Sequence, residues 1–264
     1  MANLVFYSES VDGATFTVNS LGSDTNYPAT NLNDRNKNVY WKAANANTSG
    51  YIEIDLGENR TVDYIILGFH NYTDTSVGIK FTFDMNNDGN FTGEYYLVGS
   101  SFNYEDYVTD NSDIWLETFT AQGSYRYYRL YLEAMGAGTY QQLACLFLGT
   151  AWEHSHSPEL GVSPSAEYLV DSGITTAGIV RTQINNTTVK KYWNYIYKYV
   201  TSSEKTNFET WRDNIYISSG LSHYPFFFKD SVNQMYYVRN RGVLKFMEHA
   251  YDVWQTEINF EQEL

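Results

Sequence analysis

The stretch Tyr51-Ile52-Glu53-Ile54-Asp55-Leu56-Gly57, followed closely by Val62-Asp63-Tyr64-Ile65-Ile66-Leu67-Gly68, decides the fold class. In the first, apolar and polar residues alternate with period two and stop at a glycine. That is the pattern of a strand with one face on a core and one in water. The second is almost continuously apolar, as in a strand buried on both faces. Outward from this pair, Gly78-Ile79-Lys80-Phe81-Thr82-Phe83 alternates again and runs into a tight polar turn. Ser124-Tyr125-Arg126-Tyr127-Tyr128-Arg129-Leu130-Tyr131-Leu132 reads as a long strand, and Leu143-Ala144-Cys145-Leu146-Phe147-Leu148 as the last, closed by Gly149. Many short strands with turn signals and almost no helical periodicity predict a β-sandwich or jelly roll over residues 1–152.

The polar run Glu153-His154-Ser155-His156-Ser157-Pro158-Glu159 reads as a linker, placed at 153–165. Beyond it, residues 166–264 change character. Tyr192-Trp193-Asn194-Tyr195-Ile196-Tyr197-Lys198-Tyr199-Val200 is a strand with Trp193, Tyr195, Tyr197 and Tyr199 on one face, which something must cover. A helix starting at Ser203-Glu204, with Phe208, Trp211 and Ile215 on one stripe and a stop at Ser218-Ser219-Gly220, is the obvious cover. Strands return at Tyr224-Pro225-Phe226-Phe227-Phe228, Met235-Tyr236-Tyr237-Val238, Val243-Leu244-Lys245-Phe246 and from Trp254 to Phe260. The expectation is a mainly β chain, with a jelly roll followed by a smaller, aromatic-rich β-β-α-β-β domain. Trp193, Tyr195, Tyr197 and Trp254 are its expected assembly interface.

Of 264 residues, 17% are aromatic, 25 of them Tyr, which favours strands and partner surfaces alike. The formal net charge of −14 repels phosphate backbones and anionic lipid, so nucleic acid and membrane insertion are not expected. The single cysteine, Cys145, excludes a disulfide within the chain and reads as a small buried hydrophobe. Residues 1–7 lack a basic, long-apolar leader pattern, which points to synthesis in a cytoplasm.

Asp84-Met85-Asn86-Asn87-Asp88-Gly89-Asn90 places oxygen ligands at alternate positions with Gly at the sixth, like the first half of a calcium loop. Asp84, Asn86, Asp88 and Asn90 would be the ligands. The twelfth position is Tyr95, however, and the flanks are strands, so the same residues also read as a hairpin turn. No cofactor is expected, a structural calcium ion being the one alternative. His154 and His156 with Glu153 fall short of a metal set. No nucleophile elbow, Cys/His pair, phosphate loop or zincin pattern occurs, and the chain is expected not to be an enzyme.

Tyr27-Pro28-Ala29-Thr30-Asn31-Leu32, Trp41, Ile52 to Gly57, Val62 to Asn71, Tyr125-Arg126-Tyr127-Tyr128-Arg129-Leu130 and Leu146-Phe147-Leu148-Gly149 recur here in a particular order. This set resembles the discoidin-like, galactose-binding-type jelly rolls, in the variant common in tailed-phage virion proteins. One departure is Phe69, where that variant more often has Gly before His-Asn. His70 reads as structural, bonding the loop backbone. The resemblance implies a structural virion protein of the tail tip, baseplate or a tail-associated ring. It would be made in the host cytoplasm and assemble with itself and other tail proteins. The alternative is a carbohydrate-binding module for host-surface glycans, with Tyr27, Tyr40 and Tyr72 on the loops as ligand-binding candidates.

Overall fold

The alternation at 51–56 becomes a ladder of burial: Ile52, Ile54 and Leu56 are buried, and Tyr51, Glu53 and Asp55 are half-exposed. Tyr64–Gly68 is buried at every position, as its continuous apolar run predicts. The computed structural model describes residues 3–9, 11–72, 78–98, 113–136, 138–155, 157–159, 165–174, 180–216 and 224–263. Two units emerge, Tyr7–Trp152 and a second made of Met1–Phe6 with Glu153–Leu264.

The first unit pairs a five-stranded with a three-stranded sheet. The larger runs Thr15–Val18, Gly50–Thr61, Ser124–Leu132, Ile79–Asp84, Glu94–Val98, with every neighbour antiparallel. The smaller places Tyr64–Gly68 between Cys145–Gly149 and Ile114–Thr118. Ile52, Ile54, Phe81, Tyr128 and Leu130 from one sheet meet Ile65, Leu67, Leu146 and Leu148 from the other in a single core. Tyr64, on the opposite face of its strand, packs edge-on against Tyr7 with ring centroids 4.9 Å apart. Its hydroxyl donates to the Glu9 carbonyl at 2.8 Å. Trp41 and Cys145 are both fully buried. This is the jelly roll expected from the strand pattern.

Strand register sorts the connections. Gly50 pairs with Leu132, which pairs with Ile79, and Gly68 pairs with Cys145. The long connections 19–49, 69–78 and 133–144 therefore leave from one end. The opposite end carries tight links, among them the hairpin between Asp84 and Glu94.

The second unit departs from the expected layout in three ways. Its sheet has eight strands and recruits Val5–Tyr7 from the N-terminus, so the jelly roll does not own the first six residues. The supposed linker is partly structure: Trp152–Glu153 is a strand, and His154 is buried between Tyr197 and Phe208, with centroids at 4.3 and 4.9 Å. A polar sequence concealed that packing; His156 lies outside the described residues. The strand expected at 243–246 instead begins at its last residue, as Phe246–Ala250.

The helix spans Ser202–Ile215 and buries Phe208, Trp211 and Ile215, as its stripe predicts. It starts one residue earlier than expected, because Thr201 is the N-cap of a capping box closed by Glu204. It ends at Tyr216; the expected stop at 218–220 lies outside the described residues.

The aromatic face of Val180–Val200 is covered from within the unit. Trp193 packs on Tyr236 and Phe228 (4.7 and 5.2 Å between centroids), and Tyr197 on Phe208 (5.2 Å). Trp193, Tyr195 and Tyr197 are 3%, 6% and 0% exposed, so as an assembly interface they are unavailable. Trp254 is half-buried, with the Lys205 ammonium 5.0 Å from its ring. Tyr199 breaks the alternation. A bulge between Tyr197 and Val200 gives it a φ of 62° and leaves it 75% exposed.

Candidate functional site

The loop end of the jelly roll holds the candidate site. Its scaffold is a short antiparallel pair, Trp41–Lys42 with Gln142–Leu143, in which Lys42 pairs with Gln142. Trp41 anchors the pair in the core, and its indole N–H donates to Ser23 Oγ at 3.1 Å. Alternation then turns Lys42 outward. Asn31, in the turn Ala29–Asn33, donates from Nδ2 to the Tyr40 carbonyl at 2.8 Å and fixes the approach to the strand. Asn71 does the same on the other side, donating to the Tyr140 carbonyl at 2.7 Å and accepting from the Gln142 N–H at 2.9 Å.

On this scaffold Tyr27 and Tyr40 stack, with ring centroids 4.5 Å apart and 11° between planes. A hydrogen bond with Tyr27 is the first cause holding the Tyr40 phenol above the ordinary tyrosine range. The Lys42 ammonium lies 4.6 Å from the Tyr140 ring and 5.8 Å from Tyr27, and 3.6 Å from the Asp24 carboxylate. Tyr140 is 37% exposed. Aromatic surface beside a cation and a carboxylate offers an apolar face plus hydrogen-bonding groups of both kinds.

A model of the family described as F5/8 type C domain matches residues 15–146, half of the chain. The chain belongs to the F5/8 type C domain family. No curated protein matches it significantly. Among solved structures, chitosan-binding module 1 of a chitosanase/glucanase from Paenibacillus sp. IK-5 is similar at 19% identity and TM-score 0.43. It aligns over 54% of this chain and 99% of its own. CBM32-1 from a family 31 glycoside hydrolase of Clostridium perfringens is 12% identical, with TM-score 0.43, over 55% of this chain and 99% of its own. A further Clostridium perfringens module, CBM32-5, in complex with GalNAc-beta-1,3-galactose, is 12% identical, with TM-score 0.40, over 52% and 95%. The family match covers the jelly roll alone and does not link the chain to phage tail or baseplate proteins.

The F5/8 type C unit sorts the sequence candidates. Tyr27 and Tyr40 come together at the loop end. Tyr72 does not: it is fully buried beside His70, and cannot face a ligand. His70 is itself buried, and its Nδ1 accepts the Tyr72 N–H at 3.1 Å. Burial pushes its pKa down to about 4, so the ring is neutral and structural. Lys42, Asp24 and Tyr140 escaped the sequence reading. The available signal was Lys42 directly after an anchoring Trp, and an aromatic closing the glycine-containing loop at 136–140.

The four supposed calcium ligands form a hairpin. Asp84 is buried, and its carboxylate accepts the N–H groups of Asn86, Asp88 and Gly89 at 3.1, 3.0 and 2.8 Å. Asp88 accepts the Asn90 N–H at 2.9 Å, and Asn86 Nδ2 donates to Thr92 Oγ1 at 2.9 Å. Gly89 has a φ of +80°, which the turn requires. An ion here would have to take the Asp84 oxygens from three backbone amides. Among the described residues, no group of three or more His, Cys, Asp or Glu side chains is placed to hold a metal. No described helix is long and apolar enough to cross a membrane.

Proposed function

We propose that the F5/8 type C unit is a non-catalytic binding module whose loop end takes a carbohydrate. The observation that carries this reading is the cluster of Tyr27, Tyr40 and Tyr140 around Lys42 and Asp24. A sugar ring has an apolar face that stacks on aromatic surface and a rim of hydroxyls that both donate and accept. Tyr140 supplies exposed ring surface, while Lys42 and Asp24 supply a donor and an acceptor. Loops on a rigid sandwich are where binding groups concentrate, and the buried Trp41 and the Asn31 and Asn71 bonds give these loops fixed positions.

A glycan array probed with the full chain tests this directly. At least one glycan should be retained, and Tyr140→Ala should reduce its binding at least tenfold while leaving the unfolding midpoint in place. An array with no retained glycan, or binding indifferent to both Tyr40→Ala and Tyr140→Ala, would sink the reading.

A further inference from the structure

Where the outer face of the five-stranded sheet meets the loop end lies an open cleft of about 510 Å³, to which the tyrosine cluster contributes no wall. That volume is within the ~300–1,000 Å³ usual for small-ligand sites. We propose that this cleft is a second binding site, for a neutral sugar ring.

Its floor is fixed before any ligand arrives. Tyr51 and Tyr131 meet edge to face, centroids 5.4 Å apart. The Arg129 guanidinium lies 4.1 Å from the Tyr51 ring and is bonded to Glu53 (2.5 Å), Glu94 (2.5 Å) and the Tyr131 hydroxyl (3.0 Å). Tyr131 in turn donates to Glu94 at 2.6 Å. Rings locked in this way lose little freedom on binding. The wall depends on Gly50: a Cβ there would lie 2.4 Å from Asn19 Oδ1 and 2.7 Å from Ser20 Oγ, so only glycine lets these segments close up.

The groups left over in the cleft define the ligand. Asn19 Oδ1 accepts the Tyr51 N–H at 2.7 Å, which leaves the Asn19 Nδ2 hydrogens without a partner among the described residues. Glu133 Oε2 accepts the Gly78 N–H at 3.0 Å, and its Oε1 has no partner among the described residues. Lys80 makes no ion pair or side-chain hydrogen bond among the described residues, so ammonium and carboxylate share the cleft without meeting. An anion entering there faces Glu133 and a cation faces Lys80. A hydroxyl suits both, accepting from Lys80 Nζ or Asn19 Nδ2 and donating to Glu133 Oε1. Neighbouring hydroxyls on a neutral sugar ring present that alternation. None of the residues lining the cleft belongs to the loop-end cluster, so ligand binding in one does not require the other.

Amide NMR shifts of the full chain, titrated with galactose, glucose and mannose, and with glucuronate and glucosamine as charged comparisons, test the proposal. At least one neutral sugar should move the Ser20, Gly50 and Glu133 signals along a saturating curve, in the Tyr40→Ala/Tyr140→Ala protein as in the parent. Lys80→Met and Glu133→Gln should each weaken that binding at least tenfold, with the dispersed spectrum of a folded protein retained. The proposal is overturned if none of the three neutral sugars moves those signals, if a charged comparison binds more tightly, or if both substitutions leave the affinity unchanged. Movement confined to Lys42 and Tyr140 would support the loop-end cluster and reject the cleft.

Discussion

The two ends of the jelly roll use the same residue types to opposite effect. At the hairpin end, Asp84, Asn86, Asp88 and Asn90 are consumed by the backbone, by each other or by Thr92 within the turn. At the loop end, Asn31, Asn71 and Asp24 Oδ1 are spent in the same way, but Tyr140, Lys42 and Asp24 Oδ2 remain at the surface, partly exposed. A short connection has just enough polar side chain to satisfy its own amides. Long connections have a surplus, and the surplus is what can meet a ligand. Residue type alone does not separate a turn from a site; the count of backbone groups still needing a partner does.

That contrast breaks most sharply at Asp84. Asp84→Ala strips a buried acceptor from three amides and should cost about 4 kcal/mol, read by urea unfolding, with glycan binding at the other end untouched. Millimolar calcium should leave the parent's unfolding midpoint where it is; a rise would mean that an ion wins the Asp84 oxygens from the backbone. Next in size is His70, the inward-facing group of the loop end. Its folded pKa, about 4, lies below the ordinary histidine value, so unfolded chains bind the proton first as pH falls. Stability from this group is complete above about pH 7 and is lost on the way down to pH 4, by about 3 kcal/mol. His70→Gln should flatten that part of the unfolding profile, and an unchanged slope would remove His70 from the account. Smallest in stability is Lys42→Met. A partly exposed pair with Asp24 is worth under about 1 kcal/mol, yet glycan affinity should fall severalfold. If stability and affinity fell together by large factors, Lys42 would be scaffold.

What the sequence made legible was local. Period-two alternation located Gly50–Thr61, continuous apolarity marked Tyr64–Gly68 as doubly buried, and the Phe208, Trp211 and Ile215 stripe gave the helix. Phe69 has a φ of 57°, a left-handed conformation that suits glycine and that this chain forms with an aromatic. Non-local features stayed hidden. Lys42 reaches Tyr140 only because its strand pairs with Gln142, a hundred residues away. Tyr72 looked like a loop residue and is part of the jelly-roll core. The bulge that turns Tyr199 outward leaves no signature in the pattern of residues preceding it. A polar run gave no hint that His154 sits among aromatic rings.

The pairing of Val5–Tyr7 with the second unit's sheet has a consequence for biosynthesis. The F5/8 type C unit is an insertion, threaded between the first strand of its neighbour and the remainder. A ribosome delivers Phe6 ahead of the jelly roll, but the Trp211, Phe226 and Phe260 against which it packs emerge only after the entire jelly roll has been translated. The inserted unit can mature while the chain is still growing. That strand leaves the tunnel before either of its partners, Trp152–Glu153 and Phe226–Lys229, and must wait unpaired while the inserted unit is made.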